Sequence, residues 1–339
     1  MSMFLVRTVS EQEYKKLISA AEVSVPIEQT PLWARYQATI QDRKPWRFLA
    51  VYNKTRPIAV LSLIRYSTHG YHFLRAAHGP VYLDQNKQAS ASTESNLADA
   101  LLAYTRSEAS DAVFIRMASR CDLRQSRPVL SSIPYDQTVV IDTTGSSDDI
   151  LSRMKRRGRR DVRKSLRECP AICADETEQA SRDFSDYYAV LEDTGQRDGF
   201  EPAPMSDYST MISALGPNHC RVYAARLDGK VIAWSLVTIN GNRAVRYYAA
   251  MMSQTRKMHV TDRLLFEECC LLSRRGITRY DLMGIGSDFS PSLKGLNEFK
   301  TKFTTETTAV SPERDFPIHK IAFSILSGLQ KLRGRRGKD

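Results

Sequence analysis

Residues 47–64 read RFLAVYNKTRPIAVLSLI, and residues 221–238 read RVYAARLDGKVIAWSLVT. Laid together at a constant offset of 174 residues, Arg47/Arg221, Ala50/Ala224, Ile58/Ile232 and Ala59/Ala233 match without a gap. Each segment predicts a strand, a polar turn (Asn53-Lys54-Thr55, then Asp228-Gly229-Lys230) and a second strand. The elements that follow also correspond. After the first hairpin, alternation predicts a strand over Tyr71–Ala76, 3.6-residue apolar spacing a helix over Glu94–Ser107, and alternation a strand over Ala112–Met117. After the second come Ala244–Ala250, a helix over Asp262–Arg275 closed by Gly276, and a strand over Arg279–Met283. A repeated order of elements is stronger evidence for duplication than four identities. The expected architecture is two tandem mixed α/β domains.

The polar stretch Asp142–Ser147 places the expected boundary. Residues 1–144 form the first domain, completed by a C-terminal helix over 317–334, and residues 145–316 form the second. A cleft between two such domains is a common place for a binding site. The chain has 339 residues and holds no apolar run near the roughly 18 residues that a membrane span needs. The N-terminus lacks a readable secretory signal, and six scattered cysteines are too few for a disulfide scaffold. A cytoplasmic protein is therefore expected. Peripheral contact with the inner face of the membrane is the further expectation. The segment Pro317–Leu332 spaces Ile318, Ile321, Ala322, Ile325, Leu326, Leu329 and Leu332 helically, which suits packing on one domain or lying on a bilayer.

The net charge of +11 is concentrated in two places. Arg153–Arg167 (RMKRRGRRDVRKSLR) holds nine Lys/Arg and one Asp, and the tail Lys331–Asp339 holds five Lys/Arg and one Asp. Like charges at i, i+4 repel, so a run this dense exceeds ordinary surface patterning and suits a polyanion. Helical placement puts Arg153, Arg156, Arg157, Arg160, Lys164 and Arg167 on roughly one face, the candidate RNA-binding surface. The histidines and cysteines show no metal-ligand spacing, so no metal is expected.

Three segments together carry a family resemblance: TVVIDTTGSSDDILSRMKRRGRRDVRKSL, then RRGITRYDLMGIGSD, then GLNEFKTKF (Gly295–Phe303). In this order, with the paired hairpins, the chain resembles the FemABX family of aminoacyl-tRNA-dependent peptidyltransferases, in its compact form without a coiled-coil arm. The resemblance implies two GNAT-like domains, the first binding a peptidoglycan precursor and the second aminoacyl-tRNA. It implies transfer of Gly, Ala or Ser from tRNA to the stem-peptide amine of lipid II or UDP-MurNAc-pentapeptide, which builds the interpeptide bridge. No cofactor is implied beyond the aminoacyl-tRNA co-substrate.

Residue by residue, the resemblance makes Lys300, preceded by Phe299, the catalytic position. An amine attacking an ester carbonyl develops negative charge on oxygen, and a nearby cation stabilises it. Arg35 and Trp33 match a precursor-gripping segment, Tyr208 falls near a precursor-contacting tyrosine, and Gly284, Ile285 and Gly286 end the strand where substrate is expected to approach. Two positions depart from the family pattern, Ala203 for a phosphate-binding arginine and Ala118 for an aspartate. They keep open a lipid-linked precursor or an acceptor outside the wall, such as a peptide-antibiotic intermediate. The other rivals are a GNAT-type N-acetyltransferase and a non-catalytic RNA-binding protein. The stretch 251–265 has no glycine to cradle a pyrophosphate, which disfavours acetyl-CoA in the second domain.

Overall fold

The computed structural model describes residues 4–84, 89–130 and 132–336. The chain divides into two compact units, 1–135 with 310–339 and 136–309. The first unit opens with β1 (Phe4–Val9), α1 (Glu11–Ala21) and α2 (Pro31–Gln37). The hairpin β2 (Arg43–Asn53) and β3 (Arg56–Thr68) follows, then β4 (Tyr71–Ala76), β5 (Val81–Tyr82), α3 (Ala91–Glu108) and β6 (Ala112–Ala118). The second unit runs β7 (Gln137–Asp142), α4 (Ser147–Ser152), α5 (Arg156–Glu168), β8 (Ile172–Asp175), α6 (Thr177–Arg182), α7 (Ser185–Asp198) and α8 (Met205–Leu215). It continues through β9 (Cys220–Leu227), β10 (Lys230–Asn240), β11 (Arg243–Met251), α9 (Val260–Arg274), β12 (Arg279–Gly284), α10 (Asn297–Lys300) and β13 (Thr308–Ala309). The chain then returns to the first unit with β14 (Glu313–Pro317) and α11 (Lys320–Arg336).

The duplication extends to hydrogen-bond register. Ala50 faces Val60 as Ala224 faces Trp234, and Asn53 faces Arg56 as Leu227 faces Lys230, all at the offset read from the sequence. Both hairpins are bulged at the same point, at Ile58 in the first and Ile232 in the second, and the first has a further bulge at Trp46. A bulge leaves the extra residue outside the ladder and kinks the strand. In each unit the freed carbonyl accepts from a later segment, Leu83 N to Ile58 O and Met252 N to Ile232 O, both at 2.9 Å. The identical isoleucines thus mark a shared kink.

Each sheet then adds a parallel strand through a helical crossover, β6 beside β4 and β12 beside β11. The main orders are β1-β2-β3-β4-β6-β14 and β8-β9-β10-β11-β12-β7, with β13 outside β7 and β5 on β3. These are two GNAT-like domains of mixed α/β structure. The last strand of each comes from an unexpected place. β7 follows the first repeat in sequence yet pairs with β12, and β14 follows the second repeat yet pairs with β6.

The expected boundaries therefore shift. Residues 137–142 belong to the second unit, residues 313–317 to the first, and the division falls at Tyr135/Asp136. The polar stretch Asp142–Ser147 is a loop inside the second unit, closed by a capping box between Ser146 and Asp149 at the start of α4. A polar turn and a domain boundary share the same residue types. Only the pairing of Ile141 with Tyr280 tells them apart. The C-terminal helix begins at Lys320 rather than 317, and the basic tail beyond Arg336 lies outside the described residues.

A buried ion pair locks β14 to β6. Arg116 donates to Asp315 through Nε at 2.7 Å and Nη2 at 2.9 Å, and the Arg116 guanidinium also lies over the Phe73 and Phe114 rings. Burial pushes the Asp315 carboxyl up, against the opposing pull of Arg116. Replacing Asp315 by Ala leaves a buried guanidinium without its counter-charge. A loss of about 3–5 kcal/mol is expected, read from denaturant unfolding of the full chain.

Candidate active site

In the second unit, β11 and β12 pair in parallel only from Arg243/Arg279 to Val245/Asp281. Beyond that point β11 runs on to Met251 and β12 to Gly284. A buried polar cluster lies next to the paired stretch. Glu268 of α9, fully buried, accepts from Ser235 Oγ and Tyr280 OH, and ion-pairs with Arg246 at 3.2 Å.

At the end of β12, Asp281 accepts from Thr138 Oγ1 and from the Met283 amide. Met283 takes φ +63°, a left-handed conformation that an unbranched non-glycine residue adopts only where its surroundings enforce it. Lys300 meets this turn. Its Nζ donates to the carbonyls of Gly284 at 2.8 Å and Met283 at 3.3 Å. An ammonium has three hydrogens, and among the described residues no third acceptor takes the last one. Burial, aided by the Arg246 charge and opposed by Asp281, brings the Lys300 ammonium from 10.5 down to about 8. Lys300 is thus a desolvated cation with a donor to spare.

The segment bearing Lys300 is held from both sides. Asn297 donates Nδ2 to Gly286 O at 2.9 Å and accepts from Gly286 N at 2.7 Å. Gly286 must be glycine for a local reason: a Cβ there would stand 2.3 Å from the Lys294 amide nitrogen. On the other side, Lys302 is buried between two carboxylates, Asp161 of α5 at 3.2 Å and Asp262 of α9. Its backbone carbonyl accepts from Lys155 N at 3.1 Å. A Cβ on Gly158 would come within 2.2 Å of that carbonyl, so the first turn of α5 approaches it only with glycine. Arg157 completes the link through Glu298 at 2.5 Å.

The cationic run is two elements, not one helix. Arg153 caps α4 and reaches back to Asp142 and Thr144, so it leaves the expected face; α5 starts at Arg156 after Lys155 turns to meet Lys302. α5 buries Gly158, Asp161, Val162 and Ser165, and its other side is cationic. Arg156, Arg157, Arg160, Lys164 and Arg167 line one surface there, joined by Arg159 and Arg163, which the sequence reading had not placed on it.

The remaining expected residues fall elsewhere. Phe299 is half-buried, edge-on to Phe303 at 5.2 Å and beneath the Lys302 ammonium at 5.1 Å, where it packs the segment. Ile285 is a core side chain whose amide donates to Gln137 O. Tyr208 sits in an aromatic cluster on α8 with Phe184, Trp234 and Tyr248, and burial pushes its phenol up to about 12. Trp33 and Arg35 lie on α2 of the first unit. Trp33 is buried, and Arg35 is exposed and paired with Glu11 at 3.1 Å.

Residues 153–301 match the family described as acetyltransferase (GNAT) domain. No curated protein matches the chain. Among solved structures, the chain is similar to FemX (15% identity, TM-score 0.70, 94% of this chain and 99% of that one). It is also similar to L-PGS from Bacillus licheniformis (11%, 0.56, 96% and 98%). A third likeness is to a tandem GNAT protein from the clavulanic acid biosynthesis pathway (11%, 0.50, 92% and 98%). These likenesses are of fold. Together with the domain match they support an acyltransferase built on two GNAT-like domains.

The two lysines two residues apart differ in their expected effects. Lys302→Met leaves Asp161 and Asp262 buried without their cation, at a cost of about 3–5 kcal/mol. Lys300→Met removes a desolvated ammonium and is expected to hold or raise stability at neutral pH. Because the folded value is depressed, that penalty is fully present below about 8 and relieved as pH rises toward 10.5. The advantage of Lys300→Met therefore shrinks across that window. Denaturant titrations of the variants at several pH values check both statements.

Proposed function

We propose that the protein transfers an aminoacyl group from aminoacyl-tRNA to an amine of a peptidoglycan-precursor stem peptide, lipid-linked or nucleotide-linked. The observation that carries this reading is the link between Lys300 and α5. A desolvated ammonium with one uncommitted hydrogen shares a rigid scaffold, through Lys302–Asp161 and Arg157–Glu298, with a surface of seven cations. The cations suit the RNA backbone, read by charge rather than sequence. The acceptor amine attacks the ester carbonyl, and the oxygen gathers the electron pair. Lys300 stabilises that charge through its spare N–H, the amide forms, and the 3′ hydroxyl of tRNA leaves with a proton. The wall acceptor rests on the sequence resemblance and on the fold shared with FemX.

Acetyl-CoA fits the second unit poorly. GNAT enzymes bind pyrophosphate on free amides at a helix start. Here the first turn of α9 holds the carboxylate of Asp262, buried against Lys302 and 3.4 Å from His259. The segment leading into it, residues 251–259, also has no glycine to bring free amides around a diphosphate.

The test is transfer of radiolabelled Gly, Ala or Ser from charged tRNA to lipid II and to UDP-MurNAc-pentapeptide. Label moving to either, abolished by RNase, is the expected result. Lys300→Ala is expected to lower turnover about 10²–10³-fold with tRNA affinity nearly unchanged. Turnover falls as pH rises through about 8, because Lys300 acts as the protonated donor. Arg160→Glu with Arg163→Glu has the converse effect, weakening tRNA binding and flattening its salt dependence by about one unit per lost phosphate contact. A fully active Lys300→Ala protein, or acetyl transfer from acetyl-CoA, contradicts the proposal.

A further inference from the structure

Helix α11 has two apolar faces, and the protein uses only one of them. Phe323 packs edge-on against Phe114 at 5.5 Å, with Ala322 and Leu326 beside it. Along one flank of that packed face Ile321, Ile325, Leu329 and Leu332 are 80%, 59%, 53% and 59% exposed. Their spacing of four, four and three residues puts them in one stripe, with Gly328 between. Other large exposed apolar residues, such as Leu5, Ile172 and Phe289, belong to separate elements. Isolated exposed apolar side chains are ordinary, whereas an aligned stripe marks a docking face.

Charge selects the occupant. α11 contains no acidic residue, Lys320 and Lys331 flank the stripe, and the sequence continues with Arg333, Arg335, Arg336 and Lys338. A second copy seated on this face would bring two such cationic ends together, so self-association is disfavoured. RNA would satisfy the cations and leave four large aliphatic side chains in water. An anionic bilayer satisfies both, taking the stripe into the headgroup–acyl boundary and the cations onto its phosphates.

We propose that α11 docks the protein on an anionic lipid surface through Ile321, Ile325, Leu329 and Leu332 together with Lys320 and Lys331. α11 belongs to the first unit and Lys300 to the second, and the proposal stands or falls apart from the transfer reaction.

Flotation of the full chain with vesicles of equal parts phosphatidylglycerol and phosphatidylcholine, beside pure phosphatidylcholine, tests the proposal. Binding to the anionic vesicles, at least about tenfold weaker on neutral ones and weakened by salt, is expected. Ile325→Glu with Leu329→Glu is expected to lower vesicle affinity by at least about tenfold. Both side chains are exposed, so unchanged thermal unfolding is expected, and it separates lost docking from lost fold. No binding to anionic vesicles overturns the proposal, as does binding that this variant leaves untouched. Concentration-dependent self-association, or tRNA affinity, that the same double variant abolishes assigns the stripe to another partner and also overturns it.

Discussion

The second unit depends on one buried charge. Lys302, between Asp161 and Asp262, joins the segment after β12 to the start of α5 and the start of α9. A lone ammonium so placed would be strongly unfavourable. With two carboxylates it becomes a clamp, and losing the ammonium would leave both acids buried without it. Lys300, two residues away, is desolvated because that clamp holds its segment down, and α5 presents its cations because Gly158 lets it close on the Lys302 carbonyl. Lys300 and the cations of α5 are therefore positioned by the same few side chains.

The duplication gives the fold its regularity and the exchange of end strands gives it its discontinuity. From Arg47/Arg221 onward the hairpins keep one register, bulged isoleucine included, because a bulge is conformationally specific and a shifted one would turn side chains to the wrong face. Alternation and helical spacing reveal such local order, so the hairpins, the strands after them and the crossover helices were legible from sequence. Which sheet β7 and β14 join was not. Strand pairing across a long sequence separation leaves no local pattern, and a polar loop looks alike within a domain and between two.

The grouping of the candidate residues was legible in part. The segment GLNEFK pointed to Lys300, and the density of charge pointed to α5. Arg246 and Glu268 were missed, although a glutamate within the apolar run LLFEECCLL (264–272) was a readable sign of a buried partner. Gly284 and Gly286 were read for substrate access. The structure gives them local tasks, one a carbonyl for Lys300 and the other room for the backbone of Lys294. A single sequence does not separate glycine needed for packing from glycine needed for a ligand. Arg153 was misplaced because a run of cations hides the non-helical turn at Lys155 that breaks it.

The account turns on the state of one amine. Lys300 can act as a spare-hydrogen donor at the end of β12 only if its surroundings are desolvated and feel the Arg246 charge. The direct measurement is an NMR titration of the Lys300 Nζ in isotopically labelled protein, assigned with Lys300→Met. A midpoint near 8 is the predicted result. A midpoint at the ordinary 10.5 would mean that the segment from Asn297 to Phe303 does not bury its lysine, and it would contradict the account.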